Sequence, residues 1–100
     1  MYGNGKGVVE DYKEALKWYR KSAEQGNASG QGSLGYVYHK GEGVLKDKVY
    51  AYMWFEIAAE NGSDRARTRR DNLMNEMTPS QLEKAKDLAR ECVKQEYKRC

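Results

Sequence analysis

The sequence predicts an all-α chain: an α-solenoid of antiparallel helix pairs closed by a C-terminal capping helix. Three observations carry that expectation. First, the chain repeats itself with a period of 36 residues, so that Tyr2, Gly5, Gly7, Val8, Asp11, Ala15, Trp18, Ala23, Glu24 and Gly26 all recur, from Tyr38 to Gly62, ten identities in 25 positions. Second, glycines punctuate each copy while the apolar residues between them recur at helical spacing. Third, Thr78-Pro79-Ser80-Gln81 combines a capping Thr, a Pro at the first helical position and a Gln three residues after the cap, a strong helix start.

The elements follow in order. Asp11 and Glu14 are spaced as a capping box and open a first helix, on which Tyr12, Ala15, Tyr19, Ser22 and Ala23 share a face. Gly26 stops it, and Asn27 caps a second helix from about Ala28 to Lys40. There Gly30, Gly32 and Gly35 leave one side slim enough for close approach, and Leu34 and Tyr38 are the large packing residues. Gly41 to Val44 turns the chain into a third helix, about Lys48 to Glu60, which repeats the first with Ala51, Trp54, Phe55, Ala58 and Ala59. Gly62-Ser63 repeats the cap. A fourth helix, about Asp64 to Glu76, is looser: Arg70 stands where Leu34 predicts a Leu, and Asp71 replaces Gly35, leaving Ala66, Leu73 and Met77 as the apolar side. The fifth, about Pro79 to Gln95, buries Leu82, Ala85, Ala89 and Cys92 and keeps Glu83, Lys84, Lys86, Asp87, Arg90 and Glu91 wet. The expected organisation is a partial first repeat at 1–26, a complete repeat at 27–62, a divergent helix at 63–77, and a capping helix and tail at 78–100.

Composition bounds the function. The 100 residues include 18 Lys and Arg, 15 Asp and Glu, eight Tyr, two Trp and one Phe, enough aromatic material for a core and too much for a disordered chain. The apolar run that ends at Phe55 falls well short of the roughly 18 residues a membrane span needs, so no membrane insertion is expected. Met1 to Gly7 has neither the basic start nor the apolar run of a signal peptide. Residues 1–64 carry a net charge of −1 and residues 65–100 one of +4.

The string G-x-G-V-x-x-D-x-x-x-A-x-x-W-[YF]-x-x-[SA]-A-x-x-G, at Gly5 to Gly26 and again at Gly41 to Gly62, resembles the Sel-one-like repeat (SLR), a short relative of the tetratricopeptide repeat. Ala28 to Tyr38 is similar to that family's first helix, A-x-x-x-L-G-x-x-Y. The resemblance covers about residues 1 to 77, and the run from Arg69 through Pro79 looks like the end of many bacterial arrays. It implies helix pairs stacked in a right-handed superhelix, used mainly as protein-interaction scaffolds. Two departures matter. The first pair lacks its A helix, so either the array is longer or another chain covers the bare face of the first B helix, by dimerisation or helix exchange. The bridging cysteines of the secreted, cysteine-rich branch are also absent, since those positions hold Ala23, Gln31, Ala59 and Arg67.

The chain's own cysteines, Cys92 and Cys100, would stand about 12 Å apart along one continuous helix, beyond bridging distance. A disulfide therefore requires the helix to end near Gln95 to Tyr97 and the chain to fold back. That pairing, expected here, favours an oxidising compartment, periplasmic or secreted. The alternative is a buried Cys92 thiol and a frayed Cys100.

Residues with catalytic or metal-binding chemistry are scarce. His39 is the only histidine and has no second ligand at helical spacing, so no metal and no cofactor is expected. The glycine clusters follow no strand, which argues against a phosphate loop. Trp18, Trp54 and Phe55 recur at fixed repeat positions and read as core. The serines at 22, 29, 33, 63 and 80 are not followed three residues later by Lys, so a β-lactam or peptidoglycan-acting enzyme finds no Ser-x-x-Lys motif. The basic run Arg65 to Arg70 wraps round its helix, and without interleaved aromatics it points away from nucleic acid. The expected function is non-catalytic: a scaffold that holds a protein or peptide, acidic in character, on the surface lined by the A helices. Its expected contacts are Ser29, Tyr36, His39, Lys40, Arg65, Arg69 and Asn72, with Tyr36 as anchor. A structural role at the end of a longer array is the alternative.

Overall fold

The computed structural model describes residues 8–100, with side chains from Tyr12 onward, and the glycine-rich segment 1–7 that opens the first copy of the repeat lies outside the described residues. The described residues form five helices, α1 (Val8–Glu24), α2 (Ala28–Lys40), α3 (Lys48–Glu60), α4 (Asp64–Met74) and α5 (Pro79–Lys94), and no strand.

The first helix begins earlier than its capping pattern predicts. Asp11 lies inside α1, whereas its repeat partner Asp47 caps α3 and accepts from the Tyr50 backbone N–H. In copy two the chain leaves the turn after Gly43 non-helical until Asp47, whose side-chain cap fixes the start of α3. The other predicted caps form: Asn27 accepts from the Ser29 and Gly30 N–H groups, Ser63 from that of Ala66, and Thr78 and Gln81 exchange reciprocal hydrogen bonds. Gly41 closes α2 in the left-handed conformation at φ 75°. α4 ends at Met74, two residues before the predicted Glu76.

The third helix is the centre of the molecule. It packs against α2, α4 and α5, and eight of its thirteen residues, Ala51 to Phe55 and Ile57 to Ala59, are buried. Leu34 and Tyr38 of α2 join that core, and the Tyr38 hydroxyl accepts a 2.7 Å hydrogen bond from Arg20. The slim side of α2 serves two neighbours: Gly30 faces Ser22 of α1, and a Cβ on Gly35 would stand 2.5 Å from the Phe55 ring. α4 buries Ala66 and Leu73, and Met77 follows in the turn. α5 buries Ala85, Ala89 and Cys92 and half-buries Leu82, while its six predicted wet residues are exposed.

Trp18 departs from the expected core role. It is 58% exposed, whereas its repeat partner Trp54 is 2% exposed. The reason is the number of neighbours: α3 has helices on three sides, but among the described residues α1 packs on α2 alone. Tyr12, expected on α1's buried face, is exposed for the same reason.

The tail reverses as a bridge demands. After Lys94 the chain turns through Glu96 (φ 57°), Tyr97 (φ 67°) and Arg99 (φ 64°), conformations that cost a side-chain-bearing residue roughly 1–2 kcal/mol each. The turn brings Cys100 to Cys92, with Cα atoms 5.6 Å apart, and the two are disulfide-bonded.

Candidate functional site

The helix order sets three elements around one groove. α2 forms its floor, α1 one wall and α4 the other, enclosing about 930 Å³. Tyr12, Trp18 and Tyr19 come from α1, Ser29, Gly32 and Tyr36 from α2, and Arg65 and Arg69 from α4. A Cβ on Gly32 would meet Ala66 and Ala58 at ordinary contact distance, 3.8 and 3.9 Å.

Tyr36 stands at the junction of floor and basic wall. The Arg69 guanidinium lies 4.7 Å from its ring centroid and the Lys40 ammonium 5.9 Å, both close enough for cation–π attraction. The spacing produces this directly: Tyr36 and Lys40 are four residues apart on α2 and so share a face, and Arg69 approaches from α4. The two cations make the Tyr36 end of the groove electropositive. Glu14 and Glu42 line the groove as well.

The sequence-predicted residues separate into two sets. Ser29, Tyr36, Arg65 and Arg69 line the groove, and Lys40 joins them through the Tyr36 ring. His39 does not line it: its imidazole stands 3.6 Å from the Glu76 carboxylate and edge-on to Phe55. Asn72 lies in a shallow depression on α4 with Asp64, Arg65, Thr68 and Arg69, beside the groove and outside it. The remaining arginines of the basic run have partners. Arg67 pairs with Asp64 at 2.7 Å, and Arg70 with Glu56 at 2.9 Å and Asp71 at 3.0 Å. Burial alone would lower the Arg70 pKa, but the hydrogen bonds to Glu56 and Asp71 outweigh it and raise the value. Arg65 and Arg69 make no such carboxylate pair among the described residues.

Sequence reasoning missed Tyr12, Trp18 and Tyr19 as lining residues. The signal is one of neighbours: among the described residues α1 packs on α2, and Trp18 is the bulkiest residue that this leaves exposed. Among the described residues no group of His, Cys, Asp and Glu is arranged to hold a metal, and no helix is long and apolar enough to cross a membrane.

Comparison with known proteins agrees with the repeat. Residues 1–27 and 28–63 each match the Sel1 repeat. The crystal structure of c5321, a protective antigen present in uropathogenic Escherichia coli strains and displaying an SLR fold, superposes with a TM-score of 0.78 at 29% identity. The match covers 95% of this chain and 23% of that one, so the chain spans about a quarter of the length of c5321. No curated protein sequence matches.

Proposed function

The chain belongs to the Sel1 repeat family, whose helical-repeat fold commonly serves as a protein-interaction scaffold, and from that premise we propose that its groove binds an acidic segment of a partner protein. The observation that carries this reading is the Tyr36 cluster: an aromatic ring flanked by Arg69 and Lys40, with Arg65 one turn from Arg69 on the same wall. An aromatic anchor beside unpaired guanidinium groups is the composition of a binding hot spot. The ring supplies contact area at low entropy cost, and the guanidinium groups, which pair with no carboxylate among the described residues, can pair with a partner's. Trp18 and Tyr12 across the groove offer apolar contact to the same segment. The role is binding, with no catalytic step.

The test is fluorescence anisotropy with dye-labelled acidic, neutral and basic peptides of equal length. Acidic peptides should bind tightest and lose affinity as salt rises. Tyr36→Ala with Arg69→Ala should weaken them by about 2–4 kcal/mol, the range of a hot spot, without changing the circular dichroism. Equal binding of acidic and basic peptides, or an unchanged double variant, overturns the reading.

A second reading is favoured by the exposed Trp18 wall of α1: that wall is a packing surface, covered by a preceding helix of a longer array or by a second copy of the chain. Light scattering coupled to size exclusion separates the cases. A monomer leaves the groove free for a partner, and a dimer that Trp18→Ser dissolves makes α1 the interface. The bridged cysteine pair fits an oxidising compartment, and the proposed location is periplasmic or secreted.

A further inference from the structure

The tail does more than close on itself. Its reversal carries Tyr97 across the ends of two helix pairs, where the phenol oxygen accepts a hydrogen bond from the Asn61 side-chain amide at 3.3 Å. Asn61 also donates to the Gln31 side-chain oxygen at 2.8 Å, and Gln31 donates in turn to the Ala23 carbonyl at the end of α1. The ring edge lies against the α1–α2 turn, 3.5 Å from where a Cβ on Gly26 would stand. A continuous set of contacts therefore runs from the C-terminal tail to the end of the helix that forms the Trp18 wall of the groove.

That set is closed by a covalent bond. Glu96, Tyr97 and Arg99 all hold left-handed backbone conformations that non-glycine residues resist, and the Cys92–Cys100 bridge ties the tail back through that turn. Without the bridge, what opposes the relaxation of those residues is the set of backbone hydrogen bonds in the turn, Tyr97 N–H to the Cys92 carbonyl at 2.8 Å and Glu96 N–H to that of Val93 at 3.0 Å, and relaxation would carry Tyr97 off Asn61 and Gly26. α1 is then left with α2 as its only packed helix among the described residues.

We infer that the Cys92–Cys100 disulfide is a redox-sensitive brace: oxidised, it holds the end of α1 through Tyr97 and fixes the groove's Trp18 wall, and reduced, it releases that wall. The claim about the groove's ligand rests on the binding reading above. The reductant is a dithiol. Its thiolate attacks Cys100 Sγ, the accessible sulfur, since Cys92 is 2% exposed. The S–S bond breaks with Cys92 leaving as the thiolate, which takes a proton. The reagent's second thiol then displaces Cys100, so that two protein thiols and one cyclic disulfide of the reagent result, two electrons having passed.

Hydrogen exchange by mass spectrometry on the full chain tests the brace. The backbone N–H groups of Gln25 and Asn27, which donate to the Ser22 carbonyl, and that of Gly26, which donates to Ala23, report on the end of α1. Reduction by dithiothreitol should speed exchange at 22–27 by about tenfold, the scale of losing a net hydrogen bond, while α3 stays protected. Tyr97→Ala should do the same with the disulfide intact, and Cys100→Ser should match reduction while leaving Cys92 in place. Faster exchange confined to 92–100, or a Tyr97→Ala chain as protected as the parent at 22–27, overturns the inference. The labelled acidic peptide is titrated in both redox states. A changed affinity supports control of the groove. Faster exchange at 22–27 with equal affinity in both states overturns that control, whereas faster exchange with no peptide binding in either state overturns the binding reading and leaves the brace standing.

Discussion

Gln31 is the one buried polar side chain among the described residues, fully withdrawn from solvent, and both ends of its amide are in use. The nitrogen donates to the Ala23 carbonyl and the oxygen accepts from Asn61, so a single side chain joins the end of α1 to the end of α3. Replacing it with Leu keeps the volume and removes both hydrogen bonds. Asn61 is exposed and finds water, and the Ala23 carbonyl keeps the Gly26 N–H as a donor. Gln31→Leu should therefore cost about 0.5–1.5 kcal/mol, the net worth of a hydrogen bond and not the penalty of a stranded group, read as a lower urea midpoint at unchanged slope. A midpoint within error of the parent would show that the link from α1 to α3 contributes no net stability. The same scale shows what the residues alone could not announce. Gln31 is recognisable as a position where a relative carries a bridging cysteine, yet its partners come from residues eight back and thirty ahead, and no local pattern encodes that pair. Arg70 is similar. At a repeat position where Leu34 predicts an apolar residue it reads as a defect, and only the approach of Glu56 from α3 makes it a half-buried ion pair.

At the scale of the element, the helices were legible because each carries its own punctuation. Asn27, Asp47, Ser63 and Thr78 are all caps whose side chains meet a backbone N–H two or three residues on, a local event that spacing reveals. The start of α1 was not legible, because the Asp that caps α3 in the second copy lies inside the helix in the first, and the repeat alone does not separate the two uses. The groove was half legible: Tyr36, Lys40, Arg65 and Arg69 follow from helical faces, whereas the Trp18 wall follows from which helices find neighbours. One consequence of helical spacing was present in the sequence and carries a pH dependence. Glu56 and Glu60 are four residues apart on α3 and share a face. Partial burial, then the Glu56 charge and a hydrogen bond shared with it, raise the Glu60 pKa above its ordinary 4.5. A carboxyl whose folded value is raised binds its proton more tightly in the native chain than in the unfolded one. Its contribution to stability is present below the ordinary value and lost as pH rises through the folded one. Glu60→Gln removes that loss, so the melting temperature of the variant relative to the parent should be higher at about pH 7 than at about pH 4. A difference between the two chains that stays constant over this interval would place Glu60 in an environment no different from water.

For the whole molecule, stability is distributed by position in the stack. In a solenoid each element is stabilised by its neighbours alone, so protection should follow the number of packed faces and not the quality of any one helix. α3 has three helical neighbours and eight buried residues, α2 packs between α1 and α3 with a minor contact to α4, and α1 and α5 each rest on one. The ends differ in what else holds them. α5 carries a reciprocal capping box at its start and a disulfide from its last turn to the tail, and the disulfide restricts the unfolded chain as well. α1 has only α2 and the Tyr97 contacts, and its own Trp18 faces solvent. Native-state hydrogen exchange on the oxidised chain should therefore rank the helices with α3 slowest, α2 next, α5 ahead of α1, and α1 fastest, even though α1 is the longest at 17 residues. If helix length or intrinsic propensity governed, α1 would instead outlast α4, which has 11 residues. Exchange of α1 as slow as that of α3 would mean that its bare wall is covered in solution. A protein-concentration dependence of that protection would then identify the cover as a second copy of the chain.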